Sequence, residues 1–164
     1  MEIIKASRED ALCCYELRRE AILYGCRGHY SQEDLERWVS GDMPEWFKEV
    51  VEQHFYLIRL DNEYVATGFL DEENSLLEAI FVKPAAMGKG VGRAMVRHLE
   101  GIAISKGFTE LGLEATLNAA PFYRSCGYGG AEREQASVYH SPKGVSLASV
   151  RMSKSLNATT ASSE

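Results

Sequence analysis

Gly88, Gly90 and Gly92 stand at alternate positions, with Lys89 among them and Arg93 directly after. Glycine lets backbone N–H groups approach an anion closely. Residues 88–106 follow a helical pattern, with Val91, Met95, Leu99 and Ile102 on one face. The start of such a helix carries positive partial charge, and Lys89 and Arg93 add full charges. This combination suits a phosphate or pyrophosphate. It is not a P-loop, which needs Gly-x-x-x-x-Gly-Lys-Ser/Thr. It is also a poor dinucleotide fingerprint, because the spacing is Gly-x-Gly-x-Gly and five residues part Val82 from Gly88. A nucleotide-binding oxidoreductase, with Glu114 as its ribose acid, is therefore a weak rival.

The stretches around this loop must position it. Residues 76–82 and 109–115 read as strands on either side of the helix, so 76–115 is expected to form a parallel β-α-β unit. Upstream, 2–6 reads as a strand and 7–24 as a helix capped by Ser7 with Asp10 nearby. A second helix over 31–39 is capped by Ser31, and Pro44 opens a third over 44–52. Residues 54–60 and 64–70 flank Asp61-Asn62-Glu63 as an antiparallel hairpin. Downstream, Asn118 is expected to cap a short helix that ends at Gly127, before strands at 132–139 and 145–152. The expected fold class is mixed α/β with about seven strands. A chain of 164 residues fits one domain, here 1–156, and the tail 157–164 reads as disordered.

Composition narrows the choice of function. The chain is 45% hydrophobic and 26% charged, an ordinary globular balance. No stretch approaches the ~20 apolar residues that cross a bilayer, and MEIIKASRED lacks a signal-peptide core. Cys13, Cys14, Cys26 and Cys126 show no metal-ligand spacing, so reduced thiols, no metal and a cytoplasmic protein are expected. A net charge of −6 without a basic cluster argues against nucleic acid. The charge is uneven: residues 1–75 hold 8 basic and 17 acidic side chains, net −9, and residues 76–164 hold 10 and 7, net +3. An anionic ligand should favour the second half and a cationic one the first.

The chain resembles the GNAT acyltransferase family in two motifs. Val82-Lys83-Pro84 followed by Gly88-Lys89-Gly90-Val91-Gly92 is similar to that family's strand end and pyrophosphate loop, with Met87 where the family usually has Gln or Arg. Asn118-Ala119-Ala120-Pro121-Phe122-Tyr123-Arg124-Ser125-Cys126-Gly127-Tyr128 is similar to its Asn-Ala-x-x-Phe-Tyr-x-x-x-Gly-Phe/Tyr segment. Tyr30-Ser31-Gln32 through Trp38, and Met152-Ser153-Lys154-Ser155-Leu156, look like its bacterial Hpa2-like branch. The resemblance implies acetyl-CoA as donor and a primary amine as acceptor. It implies a mixed, mostly antiparallel sheet whose fourth and fifth strands splay to admit the pantetheine arm. Donor contacts are implied for Ile80, Phe81, Val82, Met87, Gly88, Lys89, Gly90, Val91, Gly92, Arg93, Asn118 and Phe122.

Amine acylation poses two proton problems. The acceptor ammonium must lose a proton, and the departing thiolate gains from one. Glu78 is the candidate base, acting through water. It is the only charged residue between Ser75 and Val82, and strand alternation groups it with Leu76, Ile80 and Val82. Such apolar company would raise its pKa. Glu114, Asp71 and Glu72 are reserve bases. Tyr123 is the acid that the family match implies. Acceptor contacts are expected from the 24–30 loop, with Tyr24 and Tyr30, and from Trp38. The acceptor is expected to be a small amine or a peptide or protein amine, and the last two strands offer an edge for a homodimer. The alternative is a non-catalytic acyl-CoA-binding module on the same fold.

Overall fold

The computed structural model describes residues 1–156. The disorder expected for 157–164 lies outside the described residues.

Seven strands form one sheet in the order β1-β2-β3-β4-β5-β7-β6. They are β1 (Glu2–Lys5), β2 (Phe55–Leu60), β3 (Glu63–Asp71), β4 (Leu76–Val82), β5 (Glu110–Thr116), β6 (Glu134–His140) and β7 (Ser146–Ser155). Only β4 and β5 pair in parallel. The crossover between them is α4 (Val91–Ser105). Upstream lie α1 (Ala11–Gly25), α2 (Gln32–Trp38) and α3 (Glu45–His54), and α5 (Ala120–Ser125) follows β5. Alternation divides the core between the two faces of the sheet. Leu57 packs with Tyr15, Phe47 and Val51 of α1 and α3, whereas its neighbour Ile58 packs with Met95 and Leu99 of α4.

Local signals explain most boundaries. Ser31 Oγ accepts from the Asp34 N–H at 3.1 Å and starts α2. Asp61 and Asn62 turn the β2–β3 hairpin with φ of 51° and 65°, the left-handed pair that a tight hairpin needs. Two boundaries differ from expectation. The helix expected from residue 88 begins at Val91, because Gly88 and Gly90 both hold φ of 79° and cannot join a right-handed helix. The cap of α5 is Ala119, and Asn118 stands outside the helix with its side chain free for other work.

The feature that opens the sheet is a bulge in β4. Phe81 lies opposite Thr67, but Glu78 lies opposite Phe69, so β4 carries one residue more than β3 between those pairs. Ala79 takes up the extra length with φ of 51°. The bulge breaks strict alternation. Leu77, Ile80 and Val82 pack with the α4 cluster, and Glu78 lies on the opposite, α1-facing side with Ala79 and Phe81. The grouping of Glu78 with Ile80 and Val82 is therefore corrected. β4 and β5 meet only where Leu76 faces Gly112, closed by the Gly112 N–H to Ser75 O at 2.9 Å. Beyond that point they diverge.

Candidate active site

The divergence leaves a cleft of about 1320 Å³. Its mouth is the loop after β4. There the backbone N–H groups of Gly88, Lys89, Gly90, Val91, Gly92 and Arg93 donate to no acceptor among the described residues, and the first helical bond is Ala94 N–H to Gly90 O at 3.1 Å. Six successive free donors at a helix N-terminus form an anion site. The loop is pinned by close packing. A Cβ on Gly92 would lie 3.1 Å from Phe122 Cζ and 3.5 Å from Val82 Cγ2. Arg93 also ties α4 to α5, donating to Ser125 O at 3.2 Å and to Ser125 Oγ at 3.0 Å. Its amide stays in the row while its guanidinium is engaged.

Ile80, Phe81, Val82, Met87 and Phe122 line the same cleft, as do Gly88, Gly90, Val91, Gly92 and Arg93. The Lys89 side chain does not. Asn118 also lines it, and its Oδ1 is buried without a partner. An unsatisfied buried acceptor of this kind fits an amide donor from a bound ligand. On the β5 side, Ile80, Phe81 and Val82 face no strand, so the backbone there is open to an extended ligand. These features fit the pyrophosphate and pantetheine parts of acetyl-CoA.

Tyr123 lies on α5, 9% exposed, and lines the cleft. Its hydroxyl has no hydrogen bond among the described residues and is not sealed from the cleft. Burial first, and Cys126 nearby second, push its pKa above the ordinary tyrosine value. Glu78 reaches the cleft from the other side of the opening. Desolvation raises its carboxyl above the usual range, with Asp71 and then Glu114 adding to the shift. Glu114 also lines the cleft, where its Oε2 accepts from Ser149 Oγ at 2.6 Å. The groups proposed as base and acid thus share one opening.

The acceptor-side residues divide. Tyr24 is 45% exposed on the cleft rim, with the Arg27 guanidinium 3.6 Å from its ring centre. Trp38 is buried, lines the cleft and packs 5.6 Å from the Tyr139 ring. Tyr30 does not line the cleft. Its hydroxyl donates to Ala148 O at 2.6 Å and accepts from the Leu117 N–H at 2.9 Å, tethering the α1–α2 loop to the ends of β5 and β7. Cys26 of the expected 24–30 loop lines the cleft, and the structure adds residues that the sequence reading passed over: Tyr139 and Arg151 line the cleft, and Arg18 lines a pocket beside it. Arg18 had a signal, being a charged residue in the apolar stripe of Cys14, Ala21 and Ile22 on α1. Tyr139 had none, because it reaches the cleft only through the pairing of β6 with β7.

A sheet parted at its parallel pair, with free amides at the mouth and a tyrosine in the gap, fits the class of acyl-CoA-dependent transferases. The chain belongs to the acetyltransferase (GNAT) family, whose model matches residues 15–128. It is an enzyme of the N-acetyltransferase class with acetyl-CoA as its donor. The fold is similar over nearly all of the chain to solved structures. A GCN5-related N-acetyltransferase from Rhodopseudomonas palustris is 25% identical with a TM-score of 0.85, covering 94% of this chain and 95% of that one. The PaiA N-acetyltransferase from Thermoplasma acidophilum, solved with coenzyme A, is 22% identical with a TM-score of 0.66, covering 94% and 98%. The ribosomal-protein-S18-alanine N-acetyltransferase from Escherichia coli is 18% identical with a TM-score of 0.63, covering 95% and 94%. No curated protein matches the chain. Among the described residues, no helix is long and apolar enough to cross a membrane.

Proposed function

We propose that residues 1–156 act as one acetyltransferase domain that moves the acetyl group directly from acetyl-CoA to a primary amine. The observation that carries this reading is the row of free amides from Gly88 to Arg93, opening onto a cleft that also holds Glu78 and Tyr123. Glu78 accepts the ammonium proton through a water. The amine nitrogen then bonds to the thioester carbonyl carbon, gives its second proton to water, and the carbon–sulfur bond breaks as the amide forms. Tyr123 gives its proton to the departing thiolate and is reprotonated from solvent. A tyrosine held above its ordinary pKa stays protonated until that moment, which supports the role of acid. A carboxyl with a raised pKa is a better match to an amine proton, which supports Glu78 as base.

The Hpa2-like branch is the subgroup we favour, on Tyr30-Ser31-Gln32 through Trp38 and on Met152 to Leu156. A cytoplasmic setting agrees with four free thiols, Cys13, Cys14, Cys26 and Cys126. Calorimetry with acetyl-CoA, followed by thiol release over a panel of amines, tests the function. Absence of binding up to about a millimolar, roughly 4 kcal/mol of affinity, would overturn the donor site. Binding without thiol release for any amine would instead select the non-catalytic module.

A further inference from the structure

A side pocket of about 170 Å³ adjoins the cleft beside the β4 bulge. Glu78, Phe81, Trp38 and Tyr139 line both. Arg18 of α1 lines the side pocket and not the main cleft, and among the described residues it is the only basic one there. Its guanidinium forms no ion pair among the described residues. It makes one long bond, Nη2 to Trp38 O at 3.4 Å, and Nη1 is buried with no acceptor. A desolvated guanidinium without a counter-charge is unfavourable in a free-standing fold. Its planar set of donors matches a carboxylate. The Tyr15 ring centre lies 5.4 Å from the guanidinium, and burial lowers the Arg18 pKa.

The opposite sign lies at the shared edge of the two spaces. Glu78 is there, and Glu114 and Asp71 are near enough to raise its pKa. That edge draws an ammonium while Arg18 draws a carboxylate. Trp38, Phe81 and Tyr139 supply aromatic walls between them. The net −9 of residues 1–75 favours a simple cation at long range. Yet exposed charges are screened beyond about 8–10 Å, whereas Arg18 sits in the pocket itself. The local charge therefore decides.

We propose that the acceptor is a free amino acid with an apolar or aromatic side chain, its carboxylate on Arg18 and its amine toward Glu78. This rests on the acetyl-transfer reading of the cleft. The test compares L-leucine and L-phenylalanine with their carboxamides and with putrescine, which has no carboxylate, by thiol release at saturating acetyl-CoA. The amino acids should exceed the carboxamides by about 10- to 100-fold in kcat/KM, mostly through KM, as expected for one charge-assisted pair. Arg18→Gln should erase that advantage and leave carboxamide turnover within about twofold, and Arg18→Lys should keep part of it. Carboxamides or putrescine used as well as the amino acids would overturn the proposal. So would equal loss on all substrates in Arg18→Gln, which marks a structural role. Should Arg18→Gln fail to fold, the wild-type comparison and Arg18→Lys decide. Calorimetry separates the two layers of the argument. Binding of L-phenylalanine that Arg18→Gln removes, without any acetyl-CoA binding, keeps the amino-acid site and overturns the transfer reading. Acetyl-CoA binding with no binding or acetylation of either amino acid does the reverse.

Discussion

The Thr67 hydroxyl donates to the Ala79 carbonyl at 2.7 Å across β3 and β4. Thr67 is fully buried, and Ala79 is the bulge residue with φ of 51°. One hydroxyl thus holds the carbonyl that the bulge removes from the ladder. The same bulge sends Glu78 to the α1 side and coincides with the opening between β4 and β5. Thr67→Val keeps the shape and removes the bond. The stranded carbonyl should cost about 1–2 kcal/mol of stability. Urea unfolding measures that loss, and kinetics should show kcat/KM falling about tenfold as the bulge relaxes, roughly 1.4 kcal/mol. Thr67→Ser should restore both. A Thr67→Val protein with wild-type stability and activity would remove the clamp from the account.

Glu78 links activity and stability with opposite signs. Its carboxyl is raised in the fold, so the folded state binds its proton more tightly than the unfolded chain. Ionising it is a penalty on folding that is absent below the ordinary carboxylate pKa and complete above the raised value. Glu78→Gln should therefore raise Tm at neutral pH and leave it unchanged in acid. Activity goes the other way, because the base must be ionised. Wild-type kcat/KM should climb with pH through a value above the usual carboxylate range. Glu78→Gln should lose that limb and about 100-fold in rate. Full kcat/KM in the variant would remove Glu78 from its role.

Tyr123→Phe removes a hydroxyl that no group among the described residues uses. Stability should hold within about 0.5 kcal/mol, and acetyl-CoA affinity by calorimetry should hold within about twofold, or 0.4 kcal/mol. Turnover should drop by about 10²-fold, the scale of one general acid. Retention of kcat would mean that the thiolate leaves without help.

Gly90→Ala tests the loop. Nothing lies within 4 Å of a Cβ built there, so the expected cost comes from φ of 79° and not from a clash. A left-handed alanine costs about 1–2 kcal/mol. Relief of that strain turns the row of amides away from the pyrophosphate. Calorimetry should show acetyl-CoA binding weakened by about tenfold or more, while thermal unfolding shows only the small conformational loss.

A second buried network holds the far end of α4. The Tyr128 hydroxyl donates to Glu100 Oε2 at 2.7 Å, and Lys154 Nζ meets the same oxygen at 3.0 Å. Lys154 also donates to Cys126 O at 2.9 Å, behind α5. Lys154→Met should strand the Glu100 carboxylate. The loss should fall somewhat below the ~3–5 kcal/mol of a fully buried pair, because the Lys154 side chain keeps 28% of its surface. Unfolding at neutral pH checks it. A double variant, Glu100→Leu with Lys154→Met, should recover part of the loss.

The chain's own order of residues was enough for the glycine loop, the β-α-β unit, the hairpin and the helix end at Gly127. Each of these reports a local backbone preference: a positive φ, a cap, or a repeat of 2 or 3.6 residues. The two family motifs are local for the same reason, and most of the residues they imply line the cleft. What only the tertiary structure decided depends on partners distant in the chain. Strand alternation misplaced Glu78 because the bulge is set by Thr67, 12 residues away. Tyr30 became a tether because Leu117 and Ala148 reach it, 87 and 118 residues away. Asn118 stood as a cap by type and became a cleft residue because α5 starts after Ala119. Arg18 gains its setting only because Glu78, Trp38 and Tyr139 gather around one pocket beside it. Local sequence sets which conformations a segment prefers. Which face it turns to the cleft, and which charge it meets there, are set by strand register and packing.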